Sequence, residues 1–247
     1  MIVTPRFVFL HLHKSGGTFV NEALLRHEPG ARQFGYHLPR RMVPGPWRHL
    51  PVLGLVRSPF TFYLSWYAFQ RARERPNALY RAVSDDGAAG FATTIRRLLT
   101  LGDDDALLDR VIVALPDRYL THGLNLPGPA LEAIRGSGLG FYSFLYRYPY
   151  GHEDNVHIAR LERLGAELPA VMARAGVPAS APLAACLHGA EPRNASRHAT
   201  PRETFDRALA QLVTEREATI IRRFGYAPDR HAPAPRVPAL RAAPTSP

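Results

Sequence analysis

"FVFLHLHKSGGTF", residues 7–19, decides the fold of this chain. The apolar run at 6–11 has the length and composition of a buried strand. It enters a turn holding Gly16 and Gly17. From Thr18 the apolar residues Phe19, Val20, Ala23 and Leu24 fall at helical spacing. Strand, glycine turn and helix in that order form an anion cradle. The helix start offers unpaired N–H groups and the positive end of the helix dipole. Glycine lets the backbone come close to a bound group. Lys14 adds a full charge, and Ser15 and Thr18 add hydroxyl donors. The lysine precedes the glycines, so the nucleotide-loop pattern G-x-x-x-x-G-K-[ST] is not met, which counts against a magnesium-dependent NTPase.

A second element is "VRSPFTFYLSWYAF". Here the apolar run 50–57 reads as a strand, with Ser58 as helix cap and Pro59 at the first helical position. Arg57 ends the strand. Ser65 follows at a spacing of two helical turns, roughly on the same face. An arginine fork and a hydroxyl placed this way suit a second phosphate. A further strand is expected at 32–37 and a late one at 155–164, leading to a helix that ends near Gly176. Helices are expected at 88–101 and from a capping box at Thr200–Glu203 through Phe224, closed by Gly225. This order of strands and helices predicts an α/β fold with a parallel sheet.

The chain has 247 residues, enough for one domain with a sizeable core. We place that domain at 1–227. Residues 228–247 are rich in Pro and Ala and read as a flexible tail. Lys+Arg exceed Asp+Glu by 31 − 21 = 10, a surplus that suits an anionic partner. Lys14 is the one lysine; every other basic residue of that count is Arg. A base-composition bias explains the arginines but not the position of the lysine. Cys186 is the single cysteine, so no intrachain disulfide forms, consistent with a reducing compartment. No apolar run approaches the ~18–20 residues that span a bilayer, and the expected location is cytoplasmic.

The stretches "FLHLHKSGGT" and "VRSPFTFYLSWYAF" together resemble the two nucleotide-binding motifs of sulfotransferases that use 3′-phosphoadenosine-5′-phosphosulfate (PAPS). Residues 159–177 and 194–226 are similar to segments of the bacterial and carbohydrate branch of that family. The likeness covers most of residues 6–226. Two positions depart from the family pattern: His13 stands where proline is usual, and Ser58 where Asn or Asp is usual. The resemblance implies a P-loop-like three-layer fold with a central parallel sheet flanked by helices. It implies PAPS as sulfuryl donor with no metal requirement, and Lys14, Ser15, Gly16, Gly17 and Thr18 around its 5′-phosphosulfate. Arg57 and Ser65 would take the 3′-phosphate. Ser196 and Arg197, in "RNASRH", would fold over the nucleotide.

Sulfuryl transfer, like phosphoryl transfer, is served by positioning and charge stabilisation. Lys14 is the expected stabiliser of the leaving oxygen. An acceptor hydroxyl also needs a base, and histidine titrates nearest neutrality. His37, expected at a strand end, is the first candidate and His122 the second; His11 is expected to pack in the first strand. Arg40, Arg41 and Arg48 either attract an anionic acceptor or form a solvated face. The aromatic run 141–150 either lines an acceptor groove or is core. "GSGLG" (136–140) has no convincing strand before it and is discounted as a dinucleotide fingerprint. The partner expected is a small-molecule or glycan acceptor. Two other readings compete. A P-loop kinase or NTPase lacks its acidic metal ligand at a strand end. A basic nucleic-acid-binding module lacks any recognisable signature.

Overall fold

The structure is a computed structural model that describes residues 1–120, 123–151, 155–189 and 204–226. Its strands are β1 (Ile2–Val3), β2 (Val8–Leu10), β3 (Arg32–Gln33), β4 (Val52–Val56) and β5 (Val156–Arg160), in the sheet order β3-β1-β2-β4-β5. β2, β4 and β5 pair in parallel, with Leu10, Gly54 and Ile158 in register. β1 runs antiparallel to both neighbours, so the sheet is mixed rather than wholly parallel. The cause is local. A tight turn, with Thr4 N–H donating to the Phe7 carbonyl at 2.9 Å, joins β1 directly to β2. So short a connection can join only antiparallel strands.

The central strands are apolar throughout because both sheet faces are covered. Phe7, Phe9, Leu53, Leu55 and Ala159 belong to one core, shared with α1 (Gly17–His27), α8 (Leu164–Arg174) and α9 (Ala181–His188). Val8, Leu10, Val52 and Val56 belong to a larger core on the other face. That core is built with α2 (Pro59–Arg71), α3 (Ala78–Ser84), α4 (Phe91–Leu99), α5 (Asp105–Ala114), α6 (Gly128–Leu131) and α7 (Phe141–Tyr150). The last two helices, α10 (Arg207–Arg216) and α11 (Ala218–Phe224), close it.

Gly54 shows why one glycine sits inside the central strand. A Cβ there would stand 2.4 Å from the Tyr150 ring, which lies against the strand. The Tyr150 hydroxyl donates to the backbone of the sheet, reaching the Leu10 carbonyl at 3.2 Å. It also accepts the Leu55 amide at 3.1 Å.

Three sequence expectations are corrected. The strand expected over 32–37 ends at Gln33, because β1 offers only two residues to pair with it. Ser58 makes no side-chain cap. Its Oγ is buried without a partner, and the Glu162 carboxylate takes its amide at 2.7 Å instead. The single C-terminal helix is two, broken at Glu217. Residues 200–203 of the expected capping box lie outside the described residues, and the described helix starts on Asp206, whose carboxylate accepts from the Leu209 amide at 2.7 Å. The expected tail at 228–247 also lies outside the described residues. Among the described residues, no helix is long and apolar enough to cross a membrane.

Candidate anion-binding site

The loop between β2 and α1 carries the site. Lys14 holds a left-handed backbone, φ 54°, and Gly16 follows at φ 76°. A non-glycine residue at positive φ is uncommon, and such positions gather at functional sites. The two glycines have different reasons. A Cβ on Gly16 would meet Leu161 at 2.4 Å, and one on Gly17 would meet the His11 ring at 1.9 Å. The space beside Gly17 is therefore filled by His11, and what the loop offers an anion is its amides. α1 has no side-chain cap and no acidic residue in its first turn. The Ser15 hydroxyl is turned inward, 3.2 Å from the Tyr142 hydroxyl and 3.2 Å from the His13 carbonyl. Thr18 is exposed on the first turn.

Arg57 reaches this loop from the end of β4. Its Nη1 donates to the Lys14 carbonyl at 3.1 Å, its Nε to Thr61 Oγ1 at 2.9 Å, and its amide to the Tyr142 hydroxyl at 2.9 Å. Thr61, one turn before Ser65, is thus the α2 hydroxyl that Arg57 meets; Ser65 is buried on the same helix. The Lys14 ammonium lies 4.0 Å from the centre of the exposed Phe69 ring. Burial lowers the pKa of Lys14 to about 8, with Arg57 adding to the effect. Burial also lowers that of Arg57, partly offset by Glu162. Among the described residues neither cation forms an ion pair. Two half-buried cations at a helix start without an ion-pair partner favour the entry of an anion.

A second glycine-rich helix start shows the opposite arrangement. "GSGLG" leads into α7, and there the anion is the protein's own. The Glu217 carboxylate accepts from the Ser143 amide at 2.7 Å and the Tyr142 amide at 3.2 Å, and the Tyr63 hydroxyl donates to it as well. A Cβ on Gly140 would stand 2.1 Å from that carboxylate, so glycine is required. The helix break at Glu217 places this side chain. Burial raises its pKa, and its hydrogen bonds pull the other way.

Beside the first loop lie three histidines. The His13 and His37 rings stack at 3.6 Å between centroids, and His11 lies 4.4 Å from His37. His37 does not end a strand; it sits beyond β3 at φ 53°. Its Nδ1 is 2.8 Å from the His11 carbonyl. A carbonyl only accepts, so Nδ1 carries the proton and Nε2 keeps its lone pair. His13 Nε2 likewise donates to the Leu124 carbonyl. Burial lowers the pKa of His11 to about 3 and of His13 to about 4, and holds His37 well below the usual range. All three are neutral at neutral pH. They line a cavity of about 10 Å³ with Asn125, Leu126 and Tyr148.

The structure thus brings Lys14, Ser15, Gly16, Gly17, Thr18 and Arg57 to one place, with His37 beside it through His13. His122, Ser196 and Arg197 lie outside the described residues. The run 141–150 is mostly core: of its aromatics only Tyr148 is partly exposed. Tyr142 and Glu162 are site residues that sequence reasoning missed. Each acts through contacts between elements far apart in the chain, for which no local pattern exists. Asp85 and Asp86 both take left-handed backbone, and Asp85 pairs with Arg97 at 2.8 Å. Among the described residues no cluster of His, Cys, Asp or Glu is arranged to hold a metal. No protein-family model matches this chain, and comparison with curated proteins finds no match.

Proposed function

We propose that this chain is a sulfotransferase that moves the sulfuryl group of PAPS to an acceptor hydroxyl on a carbohydrate or glycoconjugate. The fold read this way is the P-loop-like three-layer kind, with the mixed sheet between two helical layers. One observation carries the reading. Arg57 donates to the Lys14 backbone at 3.1 Å, so the two anion-binding elements adjoin, and neither cation forms an ion pair among the described residues. That donor set fits a ligand with two separate phosphate groups. β4 runs into an arginine where a kinase would want an acid.

The donor supplies the sulfuryl group. The acceptor oxygen forms a bond to sulfur as the bond from sulfur to the 5′-phosphate oxygen breaks. The products are a sulfate ester and adenosine 3′,5′-diphosphate. The α1 amides and Lys14 stabilise the charge that builds on the leaving oxygen. His37 Nε2, with its lone pair free, takes the acceptor proton.

Calorimetric titration with adenosine 3′,5′-diphosphate in magnesium-free buffer tests this. Wild type is expected to bind with a Kd of about 1–50 μM, a range typical of nucleotide cosubstrates. Arg57→Ala is expected to lose about 2–4 kcal/mol of that binding. No binding to wild type, with ATP bound only when magnesium is present, would replace this reading with an NTPase.

A further inference from the structure

Next to the histidine cavity lies a recess of about 490 Å³, lined by Arg41, Asp117, Arg118, Tyr119, Pro127 and Pro129. Three links tie it to His37. Tyr148 lines the histidine cavity and bonds Arg41 at 2.7 Å through its hydroxyl. Asn125 lines the same cavity and holds both sides together: its amide donates to the Tyr36 carbonyl at 2.6 Å, and its oxygen accepts from the Leu120 amide at 2.6 Å. His13 donates to the Leu124 carbonyl, anchoring the same segment.

Arg41 is held in one orientation. Its guanidinium lies 4.7 Å from the centre of the Tyr148 ring and 5.7 Å from that of Tyr119. One of its nitrogens donates to both phenols. Those phenols take one nitrogen of the fork and leave the others for a ligand, and a second arginine, Arg118, lines the same recess. Tyrosine and two prolines supply a flat apolar wall of the kind a sugar ring packs against. Asp117 supplies an acceptor for ring hydroxyls. A fixed guanidinium is a costly thing to expose for a neutral ligand and a good one for a bidentate anion.

We propose that this recess is the acceptor subsite, and that the acceptor is a hydroxylated ring carrying its own anionic group, a carboxylate or a phosphate ester, which Arg41 and Arg118 hold. The subsite assignment rests on the sulfotransferase reading; the anion preference of the recess does not.

Ligand-observed NMR titration at about 0.15 M salt, where loose surface attraction is screened, tests it with three probes. These are methyl β-glucuronide, glucose 6-phosphate and the neutral methyl β-glucoside. On wild type saturated with adenosine 3′,5′-diphosphate, at least one anionic probe is expected to bind about tenfold more tightly than the glucoside, the gain of one charge-assisted contact. Whichever anion wins identifies the source. The preference is expected to vanish in Arg41→Met, to shrink in Arg41→Lys, which keeps the charge but not the fork, and to persist in the exposed control Arg110→Met. Equal binding of neutral and anionic probes overturns the proposal, as does a preference that survives Arg41→Met or falls equally in Arg110→Met. The nucleotide is titrated in the same series. If it fails to bind while the anion preference holds, the recess stands and the sulfuryl-transfer reading falls. If it binds and no preference exists, this proposal falls alone.

Discussion

The Arg57 guanidinium donates to the Lys14 carbonyl at 3.1 Å, so the cation of one strand end braces the backbone that carries the other. Arg57 does this while also holding Thr61 with its Nε at 2.9 Å. The arrangement uses the planar fork of arginine: two donors fix the side chain and others remain for a ligand. Lysine has the charge but a single nitrogen. Arg57→Lys is therefore expected to weaken adenosine 3′,5′-diphosphate by at least about tenfold, some 1.4 kcal/mol, though net charge is unchanged. Calorimetry checks this. Affinity equal to wild type would mean that Arg57 acts only through its charge.

The Glu217 carboxylate serves the start of α7 as a ligand would. It takes two amides and the Tyr63 hydroxyl, in a wholly buried setting. Removing it leaves the Ser143 amide and the Tyr63 hydroxyl without their acceptor, while the Tyr142 amide keeps the Tyr63 oxygen at 3.3 Å. Glu217→Ala is expected to cost about 3–5 kcal/mol of stability. Glu217→Gln keeps one oxygen but turns an N–H₂ group toward an amide donor, for a cost of about 1–3 kcal/mol. Urea unfolding of the pair would measure both. A Glu217→Ala variant within about 0.5 kcal/mol of wild type would show that water or a rearranged side chain replaces the carboxylate.

How much of this was legible beforehand follows the range of each interaction. β2, β4, β5 and the glycine turn are written in contiguous residues; the apolar runs of β2 and β4 are continuous because both faces are buried, whereas the edge strand β5, VHIAR, is mostly half-buried. β1 is two residues long, too short for any periodicity, and it is the strand that makes the sheet mixed. The break at Glu217 interrupts an apolar pattern that still reads as one helix, because its cause is a carboxylate serving α7, some 75 residues away in the chain. Tyr142 reads as one more core aromatic. Its ring is indeed buried, stacked on Phe62 at 3.8 Å, but its hydroxyl ties Ser15 to the Arg57 backbone. The glycines at 16 and 17 were legible as a turn, yet what crowds them, Leu161 and His11, was not.

The histidine cluster makes stability depend on pH. The folded pKa of His13 is lowered to about 4, against an ordinary 6.5. Between those values the unfolded chain holds a proton that the folded one does not. Stability contributed by the neutral ring is thus complete above about pH 7 and declines as pH falls through 6.5 toward 4. For His13 alone the loss between pH 7 and pH 5 is about 2 kcal/mol, or roughly 4–8 °C in Tm. His13→Gln keeps a donor for the Leu124 carbonyl and removes the titration. Scanning calorimetry of both proteins is expected to show the wild-type Tm falling faster than that of the variant. Parallel curves would mean that the ring accepts a proton in place.

Lys14 is the chain's one lysine, and its pKa lies near 8 through burial and the nearby Arg57. A fraction of its amine is therefore neutral and nucleophilic at physiological pH, which an exposed lysine near 10.4 is not. An amine-reactive acyl ester at pH 7.5 is expected to modify Lys14 about tenfold faster than a model lysine peptide, with peptide mapping to separate it from the chain's α-amino group. The rate should rise with pH and level off above about pH 8–9. A bound diphosphate neutralises the cations around it and favours the charged ammonium, so adenosine 3′,5′-diphosphate is expected to slow the labelling sharply. The protection distinguishes two arrangements that static geometry leaves alike. If Lys14 remains over the Phe69 ring when nucleotide binds, labelling continues at its free rate. If it swings to the anion at the start of α1, labelling stops, and Lys14→Ala should lower turnover by about 10²-fold or more with little change in Tm. Unchanged labelling in the presence of saturating nucleotide would remove Lys14 from the site.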